Sequence, residues 1–174
     1  VLSSDHEIKN NEKFIEVIQE GIKYANNDKI VTFGVVPHSP ETGYGYIKAD
    51  KEFNFSKIEG QNIAEFTEKP DRKKALEFLK DKRYTWNSGM FLFKAKKVLA
   101  EFESYYPDLL YSCKKSIQSS TIDHDFQRLN KNDFGQCQNV SFDIAIMENT
   151  NSGIVIPLDA GWNDIGSWES IWEY

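Results

Sequence analysis

Two carboxylates stand near opposite ends of the 174-residue sequence, each in a setting where an acid can do chemistry. Asp5 follows Val1 and Leu2 in the polar turn Ser3-Ser4-Asp5-His6, and Asp164 follows the apolar run Gly153 to Leu158 in Trp162-Asn163-Asp164-Ile165-Gly166. An acid just past the carboxyl end of a strand in an α/β sheet is well sited to hold a metal ion. Capping of a helix that starts near Gly166 is the other reading of Asp164, and that segment alone leaves both open. Between these ends lie three further candidates. Glu68-Lys69-Pro70 holds opposite charges at a strand end beside a stiff proline, where a solvated pair at a turn is the plainer alternative. The loop Pro37 to Tyr46 carries Gly43 and Gly45, which permit a positive φ or a close backbone approach to a ligand, or simply a turn into a hairpin. It is not a G-x-G-x-x-G fingerprint, because the third glycine is missing. Asn87 sits in the otherwise apolar stretch Tyr84 to Phe93, where a buried amide must bond either neighbouring backbone or a ligand hydroxyl.

The elements that position these residues follow from periodicity. Val1 and Leu2 read as a strand end. Asn10 or Asn11 caps a helix whose apolar face is Phe14, Ile15, Ile18, Ile22 and Ala25, stopped by Asn26-Asn27-Asp28. Lys29 to Val36 is continuously apolar, which suits a strand buried on both faces, and strand, helix, strand predicts a right-handed crossover in a parallel sheet. Glu52 to Ile58 alternates polar and apolar and reads as a half-exposed strand, followed by another over Asn62 to Thr67. Asp71 opens a helix carrying Ala75, Leu76, Phe78 and Leu79, and Tyr84 to Phe93 reads as a strand. Lys94 to Met147 is largely helical and forms a lid or flank, with Pro107 opening its second helix.

Composition bounds the function classes. The length suits one domain over residues 1–174 with a real core, helped by 14% aromatic residues. A net charge of −6 argues against nucleic acid or a membrane surface as partner, while small anions need local lysines or a metal to offset the field. Cys113 and Cys137 lack the close spacing of zinc or redox motifs and read as free thiols in a reducing compartment, with Cys113 in the core. No apolar stretch reaches membrane-spanning length, and no signal segment opens the chain.

Four blocks in this order, LSSDH, PETGYGYI, FTEKP with WNSGMFLF, and WNDIGSW, resemble the sugar-nucleotidyltransferase family, and most closely its mannose-1-phosphate guanylyltransferase branch. Residues Ser141 to Glu148 point to the same branch. The resemblance implies a Rossmann-like α/β sheet, mixed and mostly parallel, with a small antiparallel section and flanking helices. It implies transfer of GMP from GTP to mannose 1-phosphate with Mg2+, giving GDP-mannose and pyrophosphate, in the cytoplasm. Carried over residue by residue, Asp5 and Asp164 match the two metal-binding aspartates. Glu68 matches the acceptor of sugar hydroxyls and Lys69 the cation on the sugar phosphate. Gly43 and Gly45 match the loop whose backbone faces the sugar, and Asn87 a further sugar contact. His6 reads as an orienting neighbour of Asp5 rather than a base.

The sequence departs from the family in two places. Ser3 and Ser4 replace the small or proline residues expected before the Asp-His pair. The glycine-rich, arginine-bearing loop that cradles the triphosphate ahead of LSSDH is missing, so the chain is expected to be N-terminally incomplete and inactive alone. A homodimer and a fused mannose 6-phosphate isomerase domain in the parent protein stay open. A non-catalytic module that binds sugar phosphate is the competing function.

Overall fold

A computed structural model of the chain describes residues 1–166 and 168–173; Ser167 of the WNDIGSW block and Tyr174 lie outside them. In order, the elements are β1 (Glu7–Ile8), α1 (Asn11–Asn26), β2 (Ile30–Val35), β3 (Tyr46–Ala49), β4 (Gln61–Thr67), α2 (Arg72–Phe78) and β5 (Tyr84–Leu92). Then come α3 (Ala95–Tyr105), α4 (Pro107–Gln118), β6 (Thr121–Asp123), β7 (Phe126–Arg128), α5 (Lys131–Phe134) and a π-helical segment, Asp143–Met147. The chain closes with β8 (Gly153–Leu158), β9 (Trp162–Asn163) and α6 (Trp168–Glu173). These elements form two compact units, one of residues 1–94 and 151–174, the other of residues 95–150. No helix among the described residues is long and apolar enough to cross a membrane.

The first unit is α/β and its sheet closes on itself in the order β2, β5, β3, β4, β8. Only β2 with β8 pairs in parallel; every other pairing in this sheet is antiparallel, so the expected mostly parallel sheet is corrected to a mostly antiparallel one. The physical reason lies at Val1. It exchanges both backbone hydrogen bonds with Phe91, at 2.8 and 3.1 Å, the mark of an antiparallel pair. Val1 and β2 therefore run the same way but with β5 inserted against both of them. Continuous burial of β2 comes from a closed sheet with a helix outside it, in which one of its neighbours, β8, is parallel and the other, β5, antiparallel.

Helix α1 is capped as expected, Asn10 accepting from the Lys13 amide at 3.0 Å. Its buried face differs. Val17, Gly21 and Ala25 are buried, whereas Ile15 and Ile22 are 54% and 44% exposed. Gly21 lets the helix press onto the sheet, since a Cβ there would lie 3.0 Å from Leu92 and 3.6 Å from both Phe33 and Ile156. Val17 then joins Val31, Phe33, Met90, Ile154, Ile156 and Leu158 in the main core. Each such fully buried side chain contributes about 1.5–3 kcal/mol. A second cluster, Tyr46, Ala75, Tyr84 and Trp86, lies under α2, with Phe78 stacked on Tyr84 at 4.1 Å.

The expected strand over Glu52 to Ile58 is absent: the segment is a turn and loop. Asn54 accounts for it, its side-chain oxygen accepting from the Ser56 amide at 3.1 Å while its carbonyl accepts from Lys57 at 2.9 Å. That local bonding competes with a ladder. Strand β4 instead pairs with β3 and with β8.

In the second unit, α3 and α4 are followed by a short exposed hairpin, β6 with β7. Pro107 occupies the first turn of α4, as the sequence predicts. Cys113 is half-buried rather than core, with its Sγ 3.7 Å from Cys137 Sγ, and both are free thiols.

Candidate functional site

Glu68 and Lys69 sit where β4 ends. Pro70 is buried and cannot extend the ladder, and Asp71 turns the chain into α2 by accepting from the Lys74 amide at 2.8 Å. The turn forces Lys69 to φ 45°, a left-handed conformation that is unfavourable for a side chain with a Cβ. Glu68 is half-buried and its Oε1 lies 3.6 Å from the Lys69 ammonium, which is largely exposed. An acceptor and a cation thus stand together on the first unit.

Strand β5 brings Asn87 to the same place. Its backbone N–H donates to Gly45 O at 2.8 Å, and its side-chain Oδ1 accepts from Thr32 Oγ1 at 2.9 Å. The internal bond fixes the amide orientation. Gly45 is buried against both neighbours: a Cβ there would stand 2.7 Å from Glu68 Oε2 and 3.4 Å from Asn87 Cβ. The close approach at Gly45 is to the side chains of Glu68 and Asn87. Neither Gly43 nor Gly45 takes a positive φ; that conformation belongs to Gly89 and Gly161. Gly43 is exposed with open space around it, and nothing ties it to the cluster except its place in the loop.

Tyr44, between the two glycines, links this group to Asp164. Its hydroxyl donates to Asp164 Oδ1 at 2.8 Å across 120 residues. Burial first, and then that hydrogen bond, push the phenol well above its ordinary range, so it stays a donor at any physiological pH. The same Oδ1 accepts from the Gly166 amide at 3.1 Å. Asp164 is half-buried, and it is followed by Ile165 at φ 49°, held there as its N–H donates to Asn163 Oδ1 at 2.8 Å. A β-branched residue in that region costs on the order of 1–3 kcal/mol, and such strain gathers at functional sites.

The ends of the chain meet through β1 and β9, which pair antiparallel with Glu7 opposite Asn163 and Ile8 opposite Trp162. His6 and Asp5 precede Glu7 in the chain as Asp164 follows Asn163, just beyond the paired residues. Gly161, at φ 67° and packed on Lys9, makes the turn into β9. The Trp162 indole N–H donates to His6 Nδ1 at 3.1 Å, and an indole nitrogen can only donate, so a neutral His6 carries its proton on Nε2. His6 is oriented by Trp162 and stands next to Asp5 in the chain. Asp5 itself is exposed.

Sequence reasoning overlooked the rings that join these parts. His38, Trp86, Tyr44, Trp162 and His6 form a continuous series of edge-on contacts, with centroids 4.7, 5.2, 5.6 and 5.3 Å apart in turn. The signal available was Tyr44 itself, an aromatic residue flanked by two glycines.

No group of three or more histidine, cysteine or carboxylate side chains suited to a metal occurs among the described residues. Two carboxylates are what Asp5 and Asp164 offer. Carboxylates are the donor type that would suit a hard cation of the magnesium kind, which usually takes one or two of them and completes its shell with phosphate oxygens and water.

The Nucleotidyl transferase family matches residues 1–174. A mannose-1-phosphate guanylyltransferase of Salmonella montevideo is 44% identical over 176 residues, covering 99% of this chain and 37% of that protein. Among solved structures, a mannose-6-phosphate isomerase from Helicobacter pylori superposes with a TM-score of 0.82 at 32% identity, covering 92% of this chain and 61% of that one. A structure described as mannose-1-phosphate geranyltransferase, from Thermus thermophilus, gives 0.81 at 25% identity, covering 98% and 47%. The chain thus spans 37% of the length of the Salmonella relative.

Proposed function

Because the chain belongs to the nucleotidyl transferase family, we propose that it forms the sugar-phosphate and cation side of an enzyme that transfers GMP from GTP to mannose 1-phosphate. In that reaction a phosphate oxygen of mannose 1-phosphate attacks the α-phosphorus of GTP, the P–O bond to the β-phosphate breaks, and pyrophosphate leaves as GDP-mannose forms. The observation that carries this reading is the convergence of Gly45, Glu68, Asn87 and the Tyr44–Asp164 bond on one part of the first unit.

Each residue type suits its proposed task. Phosphoryl-group transfer of this kind needs positioning and charge neutralisation rather than a covalent nucleophile. Gly45 admits the sugar to the backbone. Glu68 accepts its hydroxyls, which orients the sugar. Asn87 donates from a fixed orientation. Lys69 offers a mobile cation to the sugar phosphate. Asp5 and Asp164 would hold Mg2+, which when bound neutralises the phosphates of both substrates and aligns them for in-line attack. The choice of guanine and of mannose rests on the names of the relatives. A fused isomerase domain belongs to the same proposal, since the Helicobacter neighbour carries that name and extends beyond the part this fold matches.

The test is pyrophosphate release from GTP and mannose 1-phosphate with Mg2+, measured with this chain joined to a glycine-rich, arginine-bearing segment ahead of Val1. Asp164→Asn is expected to lower kcat/KM by about 10²–10³-fold, the scale of losing one preorganised charge-stabilising group. A full rate in that variant would sink the cation assignment. Binding of mannose 1-phosphate with no turnover would favour a non-catalytic binding module.

A further inference from the structure

Tyr44 belongs to two structures at once. Its backbone is part of the Gly43 to Gly45 loop, whose Gly45 carbonyl is bonded to the Asn87 amide and whose Gly45 Cα faces Glu68 Oε2. Its side chain leaves that loop, passes edge-on between the indoles of Trp86 and Trp162, and ends at Asp164. Two edge-on ring contacts restrict how far the phenol can turn independently of its backbone. Any shift of the loop is therefore delivered to the hydroxyl, and from there to the carboxylate. Asp164 Oδ1 takes both the Tyr44 hydroxyl and the Gly166 amide, so Oδ2 is the oxygen that the cation of the reading above would take.

We propose that Tyr44 is a positioning residue that couples the sugar-phosphate loop to Asp164, so that a ligand seated on Gly45 and Glu68 and a divalent cation on Asp164 tighten one another. The inference rests on the assignment of Gly45, Glu68 and Asp164 given above and adds the connection between them. Coupling of this kind is reciprocal: whatever factor the cation adds to sugar-phosphate affinity, the sugar phosphate adds to cation affinity. Its carrier is one hydroxyl. Removing it leaves the ring, the two indole contacts and the loop intact.

The experiment compares wild type with Tyr44→Phe in two arms. In the first, Mn2+ binding without sugar is followed by electron paramagnetic resonance. The variant is expected to bind about 10–100-fold more weakly, as when the outer partner of a metal ligand is lost. In the second, mannose 1-phosphate is titrated calorimetrically with and without saturating Mn2+. Wild type is expected to gain at least about fivefold in affinity from the metal, and the variant less than about twofold, with metal-free affinity nearly unchanged. A purely structural tyrosine would move neither the metal affinity nor this factor while the melting temperature holds. Unchanged Mn2+ affinity in the variant, or a metal-dependent gain equal to that of wild type, would overturn the proposal. Failure of wild type to bind mannose 1-phosphate at all would strike the sugar-phosphate assignment instead, and the Mn2+ arm would still decide the role of Tyr44.

Discussion

At Gly45 the space for one methyl group is already taken by Glu68 Oε2, 2.7 Å from where a Cβ would sit. Gly45→Ala must push that carboxylate aside, and a half-buried side chain can yield without unfolding the sheet. We expect mannose 1-phosphate affinity to fall by at least about tenfold, or 1.4 kcal/mol, in calorimetric titration, while the melting temperature stays close to wild type. A lost fold with binding preserved in the surviving fraction would contradict this. Glu68, Lys69, Asn87 and Asp164 are visible in the sequence because charge or an amide beside apolar strands is conspicuous. Tyr44 and Trp162 are not. An aromatic side chain reads as core, and nothing in local spacing says that a phenol will reach an acid 120 residues away. The left-handed Lys69 and Ile165 are equally hidden, because turn strain is imposed by the surrounding fold and not by residue type.

Elements are legible where a single period dominates. Helix α1, strands β2, β4 and β5 and the start of α4 at Pro107 follow the expected ranges within a residue or two. The alternation over Glu52 to Ile58 misleads because Asn54 closes a turn on itself, a bond that period-two patterning does not report. Strand direction is also out of reach, since burial of β2 on both faces is compatible with either polarity. Its closure leaves a test at Gly34, where a Cβ would collide with the Thr85 hydroxyl and lie 2.8 Å from Val155 Cγ2. These are β-branched side chains on the two strands that flank β2, so neither can swing away. Gly34→Ala is expected to cost about 1–3 kcal/mol in denaturant unfolding, with an unchanged m-value. Loss of less than a few tenths would mean that β2 and β5 separate more easily than their pairing implies.

For the whole molecule, the largely helical stretch expected over Lys94 to Met147 corresponds closely in extent to the unit of residues 95–150, which lies in the chain between β5 and β8. The first unit is therefore assembled from both ends of the chain, and its last join is the two-residue ladder of β1 with β9. Bringing His6 to Trp162 closes a loop of 156 residues, an entropy cost of about 4–5 kcal/mol for a flexible chain. So short a ladder recovers little of that by itself and depends on the β2 and β8 core being formed first. Local opening should therefore begin there. In hydrogen exchange, the amide of Lys9, which donates to Gly161 O at 3.3 Å beside that ladder, is expected to exchange at least about a hundredfold faster than those of Val31 to Phe33, and equal protection would refute a separate opening. On the time axis, the join of β1 with β9 is then expected to arrive last and depart first. A bound ligand bridging Gly45 and Asp164 would then act as a clasp, whose presence is read in how slowly the chain ends let go.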